Sequence, residues 1–211
     1  MNIQIALLYF INQGLQNPFL DQIVPVIYTF ADVRVTLTLL TLILIVSWKL
    51  KKENIYKIAI LCIIAFFVSS AFILMSKTFY PSPRPFMVLE GIRLAVNDNG
   101  FYSFPSGHFS VTVTVLSIIM MKVKKYRRKL FVPAIAYLLI LSFVVMYGGV
   151  HYPIDVIGGG TIGLVSAVIT VRYLDFLADY VISFLENPRK FIKSFLNQKK
   201  YKKVKEYIPA L

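Results

Sequence analysis

Five apolar stretches of nearly membrane-spanning length constrain the fold of this chain more than any other feature. They cover residues 33–48, 56–79, 108–121, 130–147 and 152–173. A helix that crosses the hydrocarbon core of a bilayer needs about 20 residues, so the first and third stretches must extend into their flanks. The chain is 57% hydrophobic, whereas soluble domains are about 45–50% apolar. We therefore predict an all-α protein, a polytopic bundle of transmembrane helices with five spans.

The N-terminal segment is apolar but interrupted. Residues 3–11 and 23–31 are separated by the polar segment 12–21, and Asp32 and Arg34 precede the first long stretch. We expect an interfacial helix and a partly inserted one, which would add a sixth, N-terminal membrane-associated helix to the bundle. No positively charged segment precedes the first apolar residues, so the pattern does not match a secretory signal peptide.

The net charge of +13 is sorted by loop, as membrane topology requires. Of the 23 Lys and Arg residues, four lie in residues 49–57, six in residues 122–129 and nine in residues 172–205. With five spans, all three segments lie on one side of the membrane, and the positive-inside rule makes that side cytoplasmic. This sorting argues against a nucleic-acid partner. We expect a multi-pass protein of the cell membrane whose extracytoplasmic face carries the long loop 80–104.

The length of 211 residues allows one helical bundle and no separate soluble domain of any size. We predict a membrane-embedded domain over residues 1–174 and a basic amphipathic cytoplasmic tail over residues 175–211. Four apolar residues of the tail fall on one helical stripe among lysines and arginines, namely Phe191, Ile192, Phe195 and Leu196. We expect this stripe to lie on the membrane surface, where each basic residue contributes about 1 kcal/mol.

A polar turn leads directly into the third apolar stretch through Pro105-Ser106-Gly107-His108. The start of a helix presents free backbone N–H groups and the positive end of the helix dipole, which suit a phosphate. Gly107 permits close approach of the backbone, Ser106 can donate its hydroxyl hydrogen, and His108 can protonate a leaving oxygen. In the alternative interpretation, these residues only mark the start of a helix.

The second histidine, His151, stands four residues before Asp155 at the start of the last apolar stretch. This spacing places both side chains on one helix face, where the carboxylate can accept from one ring nitrogen and leave the other free as a nucleophile. Such a histidine can attack phosphorus and form a phosphohistidine. Alternatively, Asp155 stabilises the helix dipole from the first turn.

Two cations upstream can hold a phosphate. Arg84 lies between two prolines and offers a fork for bidentate contact, and Lys77 lies near the end of an apolar span, where a cation needs a counter-charge. The alternative is that both side chains only extend to the membrane interface.

Taken in order, Lys77-x6-Arg84-Pro85, Pro105-Ser106-Gly107-His108 and His151-x3-Asp155 resemble the motifs of the type 2 phosphatidic acid phosphatase superfamily, whose soluble relatives include vanadium-dependent haloperoxidases. The resemblance covers roughly residues 77–160. It implies that His151 is the nucleophile, Asp155 its orienting partner and His108 the general acid. It also implies a phosphate-binding set: Lys77, Arg84, Ser106 and Gly107.

One position departs from the family pattern. The third motif of the family carries an arginine six positions before the nucleophilic histidine, and here that position is Val145. Charge-assisted hydrogen bonds contribute about 1.5–3 kcal/mol, so the loss of one would lower binding or rate about 10- to 150-fold. Arg93 and Tyr147 are the nearby candidates to replace it.

We expect a metal-independent lipid phosphatase without a cofactor, because Lys and Arg can neutralise a phosphate. Aromatic residues at the outer interface indicate a membrane-anchored lipid phosphate or diphosphate as the substrate. The chain looks most similar to undecaprenyl-diphosphate phosphatases of the bacitracin-resistance type. The alternatives are a phosphatidylglycerophosphate or phosphatidate phosphatase, a weakly active protein that binds lipid phosphate, and a transporter or structural bundle.

Overall fold

A computed structural model describes residues 2–189 and residue 192. The α-helices are α1 (Ile3–Tyr9), α2 (Pro18–Phe30), α3 (Val33–Lys49), α4 (Glu53–Phe79), α5 (Pro85–Val88), α6 (Gly107–Lys122), α7 (Arg127–Tyr147), α8 (Pro153–Tyr173) and α9 (Asp175–Glu186). A π-helical turn, Phe10–Gly14, follows α1, and a 3-10 turn, Lys124–Tyr126, precedes α7. Among the described residues, β pairing is limited to one isolated bridge between Pro83 and Tyr102. The fold is all-α, as predicted.

Each of the five predicted spans corresponds to a helix: α3, α4, α6, α7 and α8. By length and composition, α4, α8 and the segment Lys124–Tyr147 can each cross a membrane. Helices α2 and α3 meet the same criterion as a pair that is bent by 52°. Helix α6 has 16 residues and is shorter than a full span, which agrees with the expectation that its apolar stretch needs its flanks. The chain is a multi-helix membrane protein.

Two short-range hydrogen bonds stabilise the starts of α8 and α3. The backbone N–H of Tyr152 donates to Oδ2 of Asp155 at 2.7 Å, and Pro153 occupies the first turn of α8. At the start of α3, the carboxylate of Asp32 accepts from the backbone N–H of Arg34 at 2.8 Å. Both caps lie at the same end of the bundle.

Helix α6 packs most extensively against α8, and α4 contacts both of them. Two glycines of α8 permit this close approach. A methyl group on Gly163 would overlap the carbonyl oxygen of Ser110, and one on Gly159 would lie 2.7 Å from the carbonyl oxygen of Ser106. The start of α6 is thereby held tightly against α8.

The N-terminal segment is fastened to the bundle through Asn12, which is fully buried in the π-helical turn. Its side-chain amide donates to the carbonyl oxygens of Tyr147 at 2.6 Å and Arg93 at 3.0 Å, and accepts from the backbone N–H of Arg93 at 2.9 Å. These bonds join the N-terminus to the long loop and to the end of α7.

Helix α9 packs at the basic end of the bundle. Nζ of Lys57 lies 2.5 Å from Oδ1 of Asp179, and both Lys57 and Lys122 form ion pairs with Asp175. The first part of the predicted tail is therefore a helix that contacts α4 and α8. Three residues of the predicted apolar stripe lie outside the described residues: Phe191, Phe195 and Leu196. The surface location of the tail stays a prediction.

Candidate active site

The seven predicted site residues lie at the end of the bundle opposite the Lys57 and Lys122 ion pairs. A cavity of about 700 Å³ opens there between α2, α3, α4, α6 and the long loop. Five of the seven residues line it: Lys77, Arg84, Gly107, His108 and His151. The other two, Ser106 and Asp155, are buried beside them and are joined by a backbone hydrogen bond from Ser106 N to Asp155 O at 3.0 Å. The fold thus brings all three motifs to one cavity.

His151 lies in the turn before α8 and is only 1% exposed. Its Nδ1 lies 3.5 Å from Oδ2 of Asp155, the same oxygen that accepts from the backbone N–H of Tyr152. Asp155 therefore caps the helix and faces the imidazole at once. Within the described residues, both ring nitrogens of His151 are buried without a hydrogen-bond partner, and the residue lines the cavity.

Burial lowers the pKa of His151 below its ordinary value. The carboxylate of Asp155 opposes this shift, while the positive charges of Arg84 and Lys77 add to it. A lowered pKa keeps the imidazole neutral at pH 7. The neutral form is the one that carries a free lone pair for attack on phosphorus.

His108 is the second residue of α6 and lies beside residues from the bent α2–α3 pair. Its ring packs on the ring of Tyr28, with 4.2 Å between the ring centroids. Its Nε2 lies 3.9 Å from Oδ2 of Asp32, too far for a hydrogen bond. This nitrogen is buried without a hydrogen-bond partner among the residues that the structure describes. It therefore retains its capacity to bond to a ligand in the cavity.

The turn before α6 has the properties of an anion cradle. The hydroxyl of Ser106 is fully buried and has no hydrogen-bond partner among residues 2–189. A methyl group placed on Gly107 would meet no atom within 4 Å, so the space beside this residue belongs to the cavity. An anion can approach the N-terminal backbone of α6 through that space.

Replacing Gly107 with alanine should lower catalytic efficiency about tenfold or more and leave the fold intact, because displacing a reacting group by about 1 Å can cost 100-fold in rate. The added methyl group occupies cavity space instead of overlapping protein atoms. Steady-state kinetics and thermal unfolding would measure both effects. The matched control is Gly163→Ala, which should lose stability because its methyl group overlaps Ser110. Full activity of Gly107→Ala would contradict the cradle.

Two predicted cations line the cavity. Lys77 belongs to the last turns of α4, and Arg84 directly precedes α5. Nζ of Lys77 donates to the carbonyl oxygen of Tyr102 at 2.7 Å, which fixes the ammonium against the long loop. Arg84 is 5% exposed, and its Nη1 lies 2.6 Å from Oδ2 of Asp98. Asp98, a residue of the long loop, is thus a counter-charge for the buried Arg84. The counter-charge was predicted for Lys77, whose hydrogen-bond partner is instead a neutral carbonyl oxygen.

Asp98 is held in place by three groups. Besides Arg84, the hydroxyl of Tyr28 donates to its Oδ2, and the backbone N–H of Gly100 donates to its Oδ1 at 2.7 Å. Burial alone would raise the pKa of Asp98, but these hydrogen bonds and the charge of Arg84 lower it below its ordinary value. Arg84 therefore contacts a charged carboxylate of the same cavity.

The two candidates for the missing family arginine do not line this cavity. Arg93 forms an ion pair with Asp21 at 3.1 Å and donates from Nη2 to the backbone oxygen of Asn12. The hydroxyl of Tyr147 donates to the same carboxylate at 2.6 Å. Val145 itself is fully buried in the apolar core. Both polar side chains, Arg93 and Tyr147, are thus engaged with Asp21 outside the cavity lining.

The cavity residues that were not predicted as site residues include Tyr28, Asp32, Arg34 and Asp98. The only sequence signal for any of them was the Asp32 and Arg34 pair, which interrupts an otherwise apolar segment. Tyr28 and Asp98 carry no motif or spacing that indicates a site. Their role follows from the way the N-terminal helices and the long loop pack over the motifs.

Two relatives and one solved structure illustrate what this chain is similar to. The chain is 28% identical over 149 residues to the bacitracin transport permease protein BcrC of Bacillus licheniformis, with 68% of each protein covered. It is 27% identical over 165 residues to the undecaprenyl-diphosphatase BcrC of Bacillus subtilis (strain 168), covering 78% of this chain and 80% of that protein. A PAP2-type phosphatidylglycerolphosphate phosphatase from Bacillus subtilis shares the fold, with a TM-score of 0.66, 20% identity, and coverage of 81% of this chain and 86% of the other.

Residues 56–178 match the family described as the PAP2 superfamily. This region contains all seven predicted site residues and excludes Tyr28, Asp32 and Arg34, which belong to the N-terminal helices.

Proposed function

The chain belongs to the PAP2 superfamily, and on this premise we propose that it hydrolyses a polyprenyl diphosphate of the undecaprenyl type through a phosphohistidine. The observation that carries the proposal is the shared cavity of His151, His108, Lys77 and Arg84. The lipid class is supported by the relative from Bacillus subtilis that is named undecaprenyl-diphosphatase. A membrane-embedded bundle suits a substrate whose tail stays in the bilayer.

In the first step, Nε2 of His151 attacks the terminal phosphorus, and the bond from that phosphorus to the bridging oxygen breaks. His108 donates a proton to the bridging oxygen, and the lipid monophosphate leaves. Asp155, 3.5 Å from Nδ1, stabilises the positive charge that develops on the His151 ring. One difficult displacement is thereby divided into two easier ones.

In the second step, water attacks the phosphorus of the phosphohistidine, and the phosphorus–nitrogen bond breaks. His108, which has lost its proton, accepts one from the attacking water. Inorganic phosphate leaves and His151 is restored. In both steps the non-bridging oxygens are held by Lys77, Arg84, the Ser106 hydroxyl and the backbone at Gly107.

The proposal requires no metal ion, because Lys77 and Arg84 supply positive charge at the phosphoryl oxygens. Within residues 2–189 and residue 192, no three His, Cys, Asp or Glu residues are grouped so that they could hold one. Purified protein should keep its activity after EDTA treatment. Loss of activity that Mg²⁺ restores would overturn this part of the proposal.

A second cavity, of about 800 Å³, is lined by other residues than the first and supports a lipid substrate. It is mainly apolar and reaches Asp155, and its lining includes Phe72, Met75, Phe79, Tyr80, Phe104 and Ile154. An apolar surface next to the catalytic groups can accommodate part of a lipid tail.

We place the active site on the extracytoplasmic side of the cell membrane, because the basic loops lie at the opposite end of the bundle. A cysteine introduced at Asn99, which lines the cavity, should react with a membrane-impermeant thiol reagent in intact cells. Labelling only after the cells are broken would contradict this orientation. The native Cys62 is buried and provides the background control.

The substrate is tested by phosphate release from undecaprenyl diphosphate, phosphatidylglycerophosphate and phosphatidate, measured on the purified full-length protein. We expect the highest kcat/KM for the diphosphate, and no release by a His151→Ala variant. A clear preference for either glycerolipid would replace the proposed substrate class. Absence of turnover with all three lipids would favour a protein that only binds lipid phosphate.

A further inference from the structure

Arg34 is a second guanidinium on the cavity wall, and none of the three motifs includes it. It lies at the start of α3 and lines the same cavity as His108, His151, Lys77 and Arg84. Its side chain is 91% exposed, in contrast to the buried Arg84. Arg34 is therefore placed at the open part of the cavity, where a ligand can reach it.

Asp32 fixes the direction of this side chain. Its Oδ1 lies 3.1 Å from Nε of Arg34, and its Oδ2 lies 3.3 Å from Nη2. A guanidinium has five N–H donors in a rigid plane, so this contact leaves the others available for a bidentate contact with phosphate. The carboxylate acts as a positioning group for the arginine.

Oδ2 of Asp32 lies close both to Arg34 and to His108, the proposed general acid. Oδ2 of Asp32 lies 3.9 Å from Nε2 of His108. Nη2 of Arg34 and Nε2 of His108 are therefore at most about 7 Å apart, a gap that a phosphate group can bridge with two hydrogen bonds of ordinary length. His108 is proposed to protonate the bridging oxygen of the substrate. The group on the leaving side of that oxygen is therefore within reach of Arg34.

In a diphosphate, the group attached to that oxygen is the leaving phosphate. The terminal phosphate has its own proposed ligands deeper in the cavity, at His151, Lys77, Arg84 and the α6 N-terminus. Arg84 is also shared with Asp98, which reduces the positive charge available to a second phosphate. Arg34 is likewise paired, with Asp32, but its exposed guanidinium retains N–H donors that this pairing does not use.

We propose that Arg34 binds the leaving phosphate of a diphosphate substrate and so favours diphosphates over monophosphates. This inference rests on the proposed function, because it concerns the same cavity and reaction. A lipid monophosphate has an alcohol at the corresponding position, which offers no anion to a guanidinium. Arg34 is then a substrate-binding residue that sets specificity.

The test is to replace Arg34 with glutamine in the full-length protein. We expect kcat/KM for undecaprenyl diphosphate to fall about 10- to 150-fold, the effect of one charge-assisted contact. Inhibition by inorganic phosphate, which occupies the terminal phosphate site, should change by less than about twofold, because that site does not include Arg34. Arg34→Lys should retain part of the activity, since it keeps the charge and loses the fork.

The matched control is Lys49→Gln, which removes an exposed cation from the other end of the same helix. It should leave kcat/KM unchanged. An unchanged kcat/KM in Arg34→Gln, or an equal weakening of inhibition by inorganic phosphate, would overturn the role of Arg34 even while the wild type hydrolyses the diphosphate. If the wild type does not hydrolyse the diphosphate at all, the proposed function fails first and removes this role with it.

Discussion

Replacing His151 with alanine should abolish phosphate release, with a loss of kcat on the order of 10⁴-fold or more, as for other covalent nucleophiles. The variant removes the atom that is proposed to attack phosphorus, and His108, the other histidine of the cavity, is assigned to proton transfer. His151→Gln is the companion variant, because it preserves volume at a site that is 1% exposed. Initial rates with undecaprenyl diphosphate would measure the effect.

Binding provides the control for this prediction. Inorganic phosphate should still raise the unfolding temperature of His151→Gln, because Lys77, Arg84 and the start of α6 remain in place. Phosphate release within tenfold of the wild-type rate in both variants would mean that His151 is not the nucleophile. Loss of activity together with loss of thermal stability in both variants would point instead to a structural role.

Replacing His108 with alanine should lower kcat by about 10²- to 10⁴-fold, the contribution of a general acid. The size of the loss should depend on the leaving group. An alcohol, as in phosphatidate, leaves poorly without a proton, whereas a lipid phosphate leaves more easily. We therefore expect a larger loss with phosphatidate than with undecaprenyl diphosphate, and the smallest loss with p-nitrophenyl phosphate.

The same series separates acid catalysis from packing. The ring of His108 contacts Tyr28, so His108→Ala also removes a ring contact, and Tyr28→Phe is the control that keeps the ring but removes the hydroxyl. Equal losses for all three leaving groups would contradict the role of His108 as the acid. They would indicate that the imidazole only shapes the cavity.

The spans and the motif residues could be predicted because their signals are local. A polar turn followed by an apolar run marks the start of α6, and Pro153 with Asp155 marks the start of α8. Because successive spans run in opposite directions, the starts of α6 and α8 and the end of α4 lie on the same side of the membrane. These rules bring Lys77, His108 and His151 together, and the three residues line one cavity. Their roles in catalysis stay a prediction.

The remainder of the cavity could not be predicted because it depends on contacts between distant segments. Tyr28 and Asp98 meet across 70 positions of the chain, through a loop that has no regular pattern. Arg93 lies in that loop as well. Its backbone N–H donates to the buried Asn12 and its guanidinium pairs with Asp21, and these contacts hold it away from the cavity. Charge and proximity in sequence therefore could not decide whether Arg93 reaches the cavity.

Val145 stands where the family motif carries an arginine, and this difference bears on the turnover rate. This side chain packs in the apolar core and contributes nothing polar to the phosphate. Arg34 approaches the cavity from a different helix and from the side of the leaving group. It is not a replacement at the terminal phosphate, so the turnover number of this chain is expected to fall below that of relatives that carry the arginine.

The most direct test of the central claim is to trap the covalent intermediate. Wild-type protein is mixed with undecaprenyl diphosphate labelled with ³²P in the terminal phosphate, quenched under alkaline conditions that preserve phosphohistidine, and digested for mass spectrometry. The proposed chemistry predicts label on the peptide that contains His151, and no label in His151→Gln. Label on His108, or phosphate release by the wild type with no labelled protein at any quench time, would contradict it.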